Sequence, residues 1–154
     1  MAVERIVVDG PSLLERCPGL AAGKNSASTA VRRELLAWLT RYQDVTGTPI
    51  TVVFDGQTDE LDEVVPESGV EPLLLPPGQN ILHAMQRLVH RLAARGSVQV
   101  VCSAAHLAQV AAWPGTTAVS CEDFARTVQS TLDAFEREML RFNSQERNRF
   151  LRAS

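Results

Sequence analysis

Apolar positions along this chain follow two rhythms. Short, largely β-branched runs (Val3 to Val8, TPITVVF, Val70 to Leu75, SVQVV and TTAVS) stop at Asp-Gly, Pro-Pro-Gly or Ser, and their length and punctuation predict buried strands. Between them the spacing changes to three and four. Val31, Leu35 and Leu39, with Leu36 and Trp38 alongside, predict a helix that opens at Ser28 or Thr29 and closes at Gly47. Ile81, Leu82, Met85, Leu88, Val89 and Leu92 predict a second helix, capped by Asn80 and ended by Gly96. Ser103 caps a short helix through Ala112, and Ser120 with Asp123 makes a capping-box-like start for a last one. The segment after the first strand is read as a loop. So is the acidic, proline-interrupted stretch from 57 to 69.

Strands that alternate with helices imply a parallel sheet covered on both faces, because right-handed crossovers place helices on the two sides. The expected fold class is therefore α/β, a three-layer α/β/α sandwich with a mainly parallel, about five-stranded sheet. All strand C-termini then share one edge. That edge collects Asp9, Asp55, Ser103 and Ser120, and a ligand is expected in the crevice where strand order reverses.

Composition narrows the class. A chain of 154 residues, 45% hydrophobic and 21% charged, suits one globular domain. No apolar run is long enough for a membrane span and no leader pattern precedes the first strand, so a cytoplasmic protein without a membrane partner is expected. Cys17, Cys102 and Cys121 are odd in number and lack metal-ligand spacing, which favours reduced, packed thiols and no zinc site. Charge is distributed unevenly. Residues 1–71 carry twelve acids against six basic side chains, whereas residues 72–121 carry three arginines and no acid. Fourteen of the fifteen basic residues are Arg, a side chain suited to phosphate.

Within the acid-free span, Gln79, His83, Arg87, His90 and Arg91 share one side of a helix, either as phosphate contacts or as an ordinary solvated face. Arg32 and Arg33 follow the cap of the first long helix, where Arg33 either faces the groove or makes a surface ion pair. His106 stands close to Ser103, but a Ser-His nucleophile would need a third member and an oxyanion site that the sequence does not signal. The tail pattern Phe124, Val128, Leu132, Phe135, Met139, Phe142 runs past the length of the fold; a thirty-residue helix reaches ~45 Å. Residues 131–154 are accordingly read as an extension of a long C-terminal helix. Its far end either docks a protein partner, a second copy in a homodimer or RNA, or frays.

VVDGPSLL resembles the opening of the NYN branch of PIN-like nucleases, and AVRRELLAWLTRYQDVTGTPITVVFDG resembles the helix and second strand of its YacP-type bacterial members. VVCSAAH and AVSCEDFARTV fall where that family has two further strand ends, so the likeness spans about residues 3 to 130, and 1–130 is read as an NYN/PIN-like domain. The resemblance implies metal-dependent cleavage of RNA, with Mg²⁺ or Mn²⁺ held by converging carboxylates. It assigns metal-ligand positions to Asp9 and Asp55. The remaining acids are missing, since no Asp or Glu occurs between Glu71 and Glu122, and the Tyr-Asn of the opening motif is Pro11-Ser12. Asp9 is thus either a residual metal ligand or a turn cap. The leading expectation is a degenerate, catalytically silent domain that binds RNA or a ribonucleoprotein without a cofactor, through Ser12, Arg33, Ser103, His83, Arg87 and Arg91. Two alternatives stand beside it: a Mg²⁺- or Mn²⁺-dependent ribonuclease with a reduced set (Asp9, Asp55 and Glu122 or Asp123), and a protein-interaction subunit acting through the tail and the 57–69 loop.

Overall fold

A computed structural model describes residues 3–17, 29–56 and 70–153. Five strands, β1 (Arg5–Asp9), β2 (Ile50–Phe54), β3 (Glu71–Leu74), β4 (Val98–Cys102) and β5 (Thr116–Ser120), form one sheet in the order β3-β2-β1-β4-β5. Every pairing is parallel. The chain begins in the middle of the sheet, builds outward through β2 and β3, then returns to add β4 and β5 on the other side. Strand order therefore reverses between β1 and β4, which opens the ligand crevice of such sheets beyond their carboxyl ends.

The helices are α1 (Gly10–Glu15), α2 (Thr29–Thr46), α3 (Ile81–Ala93), α4 (Leu107–Ala111) and α5 (Cys121–Ala153). Alternation along the strands sorts them into two layers. Ile6, Val8, Ile50, Val52, Phe54 and Val101 pack with α1, α2 and α5, whereas Val7, Val53, Val98, Val100 and Cys102 pack with α3 and α4. Tyr42 of α2 meets Phe124 of α5 edge to face at 5.8 Å, which ties the two long helices of the first layer together. The expected three-layer sandwich with a long last helix is the fold observed, and all five strands are parallel.

Some local expectations change. Residues 10–15, read as loop, are helical because Asp9 accepts a hydrogen bond from the Ser12 amide at 3.2 Å and Pro11 fits a helix's first turn. The segment after Ser103 starts as a 3₁₀ turn, Ala104–His106, before α4. The helix at 81 ends at Ala93, short of Gly96, while Gly47 takes the left-handed conformation (φ 77°) expected after α2. The Ser28 cap and the 57–69 loop lie outside the described residues. No helix among the described residues is long and apolar enough to cross a membrane.

Both Asp-Gly pairs need glycine for closeness of packing. A Cβ on Gly10 would stand 2.7 Å from the Phe54 ring and 2.8 Å from the Val53 carbonyl oxygen, and one on Gly56 would overlap the Leu75 carbonyl. Replacing Gly10 by Ala is therefore expected to cost about 1–3 kcal/mol through overpacking, read as a lower urea midpoint with an unchanged slope.

Candidate functional site

Asp9 closes the central strand and is 3% exposed. Its two carboxylate oxygens are taken up locally: Oδ1 accepts from the Ser12 amide and Oδ2 from the Ser12 hydroxyl at 2.7 Å. Burial raises its pKa above the ordinary 3.8, against the lowering by the Ser12 hydrogen bonds and by nearby His106. The β1–β4 ladder pairs Val8 with Val101, so the next rung sets Asp9 level with Cys102. A neutral thiol thus occupies the position beside Asp9. Burial and the negative charge of Asp9 push the Cys102 thiol up to about 11, and Cys121 is pushed to about 12 for the same two reasons. Neither supplies a thiolate at neutral pH.

Asp55, beyond the end of β2, has a different occupant. Arg32, itself 3% exposed, donates from Nη2 to the Asp55 carboxylate and to its backbone carbonyl, both at 3.0 Å. The guanidinium also lies 5.0 Å from the centre of the Phe54 ring, a cation–π contact. Its Nε has no hydrogen-bond partner among the described residues. The basic residue paired with Asp55 at this edge is Arg32; Arg33, next to it on α2, is exposed. Periodicity held the signal: position 32 stands one turn before buried Leu36, inside the apolar stripe.

The other candidates separate. Ser103 Oγ and His106 Nδ1 are 3.0 Å apart and close the 3₁₀ turn. Ser120 Oγ accepts from the Asp123 amide and caps α5, as its sequence suggested. Glu122 pairs with Arg16 at 3.4 Å and Asp123 with Arg126, so the two acids beyond β5 are engaged on α5's first turns. His83, Arg87 and Arg91 are exposed on α3 and line an open groove of about 730 Å³ together with His90, Leu73 and Trp113.

Sequence comparison bears on this arrangement. The profile of the YacP-like NYN domain matches residues 6–153. The chain belongs to that family. Two crystal structures of Rae1 (YacP) from Bacillus subtilis share its fold: one superposes with a TM-score of 0.76 at 22% identity, covering 96% of this chain and 85% of that one. A point mutant of the same protein gives 0.75 at 20% identity, covering 92% and 85%. No curated protein matches the chain.

For a YacP-like NYN domain this carboxyl edge is poor in metal ligands. Mg²⁺ takes oxygen donors in near-octahedral geometry and is held by carboxylates free to face it. Here each Asp9 oxygen already accepts a hydrogen bond from Ser12, Asp55 is paired with Arg32, and the strand end between β1 and β5 reads Cys102-Ser103-Ala104. Among the described residues no group of three or more His, Cys, Asp or Glu side chains is arranged to hold a metal ion. The described residues do not fit the family's divalent ion.

Two measurements test these roles. Replacing Asp55 by Asn leaves a buried guanidinium without its counter-charge and is expected to cost about 1–3 kcal/mol of stability, seen in urea unfolding. For Asp9 the sign is opposite. A carboxyl whose pKa is raised by folding binds its proton more tightly in the native state, so it lowers stability as pH climbs above 3.8. Asp9→Asn, which keeps a helix-capping oxygen, is therefore expected to be the more stable protein at pH 7, with the difference shrinking toward pH 4 in paired unfolding curves.

Proposed function

We propose that this YacP-like NYN domain binds RNA, alone or within a ribonucleoprotein, without cleaving it. One observation carries the reading: the segment that runs from α3 to β5, residues 81–120, contains Arg87, Arg91, Arg95 and all three histidines, and not one carboxylate. That entire half of the sheet, with the helical layer over it, presents no anionic ligand to a cation. The same half offers no repulsion to a phosphate. Arg87 and Arg91 stand one turn apart on the exposed side of α3, with His83 a turn before, so three cationic or proton-accepting groups follow one line along the groove.

Cleavage by the family's route needs two ions or one ion held firmly between attacking water and leaving oxygen. The commitments of Asp9 to Ser12 and of Asp55 to Arg32 oppose that. Phosphate binding needs only positive potential and donors. Loss of carboxylates thus removes one activity and favours the other.

Single-stranded and structured RNA, titrated at several salt concentrations, should bind with an affinity that falls as salt rises. Arg87→Ala and Arg91→Ala should each weaken binding of all sequences alike and reduce the salt slope by roughly one. Incubation with Mn²⁺ should leave the RNA intact; cleavage that Asp9→Asn abolishes would return the chain to the working nucleases. Absence of any RNA affinity at low salt would assign the domain to protein contacts instead.

A further inference from the structure

The last helix leaves the domain at Leu132. Phe124 and Val128 are buried and Leu132 half-buried, but every residue from Asp133 to Arg152 is exposed. At ~1.5 Å per residue this stretch projects ~30 Å. It is not built as a solvated rod. Val128, Leu132, Phe135, Met139 and Phe142 alternate in steps of four and three, the seam of a helix that packs against another helix. Phe135 is 43% exposed, Met139 42% and Phe142 55%, so the stripe that packs on the domain continues into the open.

Charge is segregated along the same stretch. Asp133, Glu136 and Glu138 outnumber Arg137 in the half nearer the domain. Arg141, Arg147, Arg149 and Arg152 outnumber Glu146 in the outer half, and Glu146 is paired with Arg149 of its own helix at 3.5 Å. We propose that two copies of this chain pair through these projecting helices, antiparallel, about a two-fold axis beside Phe142. Such an interface is isologous, so each patch must complement itself. It does so in register. With Phe142 near the axis, Asp133 stands at the height of the partner copy's Arg152, Glu136 at that of Arg149, Glu138 at that of Arg147, and Phe135 at that of Phe150. Phe135 thus comes level with Phe150 and the three inner acids with three arginines, while Glu146 comes level with Met139, and Arg149 exchanges its own-helix partner Glu146 for the partner copy's Glu136.

The alternatives are disfavoured by the same charges. A parallel pair sets every acid and every arginine beside its own copy, which is repulsive throughout. RNA along the helix meets the acidic half. The proposal rests on α5 alone and does not depend on the RNA reading.

The test is the mass of the full chain by sedimentation over a concentration series, with circular dichroism to confirm folding. The wild-type chain should show a monomer–dimer equilibrium. Phe142→Glu, at an exposed site that cannot disturb the domain core, should raise the dissociation constant about tenfold or more. Glu136→Arg with Glu138→Arg should weaken dimers similarly, and adding Arg147→Glu and Arg149→Glu to that variant should restore them, since complementarity returns only in an antiparallel pair. A wild-type chain that stays monomeric at all concentrations overturns the proposal. So does dimerisation indifferent to Phe142→Glu, or a four-site variant no better than the two-site one.

Discussion

An arginine side chain that is only 4% exposed is stable only if something answers its charge, and much of the carboxyl edge is arranged around the answer given to Arg32. Asp55 supplies a carboxylate and a carbonyl, and Phe54 supplies the face of a ring. The ring in turn presses on Gly10 so closely that a methyl group there has no room. The two Asp-Gly pairs are thereby joined through one aromatic side chain. Asp9 starts α1 next to this contact, while Asp55 holds the cation that lies over the ring.

This linkage holds the carboxyl edge in shape through contacts within the chain. Carboxylates crowded at a strand edge repel one another, and a divalent ion is the usual remedy. In this chain Asp9 and Asp55 each have an internal partner instead. The position level with Asp9 carries a thiol held neutral by its surroundings, and Asp55 has a resident positive charge. Among the described residues Asp9 serves as a helix cap and Asp55 as half of an ion pair.

Much of this architecture was legible in the chain itself. Strand lengths, the three-and-four spacing of α2, α3 and α5, and the missing acids between Glu71 and Glu122 led directly to a parallel sandwich with a depleted edge. The failures were local and have physical causes. Residues 10–15 lack helical periodicity because α1 spans fewer than two turns, so only the Asp9 cap and Pro11 could announce it. The burial of Arg32 against Asp55 depended on the width of the buried stripe on α2, and a charged residue inside an apolar stripe is read outward by default. Nor does a sequence show that a glycine is required by a ring from another strand, as at Gly10.

The charges that remain are sorted by layer. Acids persist on β1, α1, α2 and the inner part of α5, while the α3 and α4 layer carries none, so the two faces of a small domain present different potentials to a polyanion. If the proposed RNA binding holds, an approaching RNA would be steered toward the α3 groove because the opposite face repels it, not because α3 is strongly basic. A weak attraction with a defined direction favours orientation over affinity. Affinity then has to come from elsewhere, and paired domains would supply it, because two modest grooves joined through α5 act on one polymer at high effective concentration.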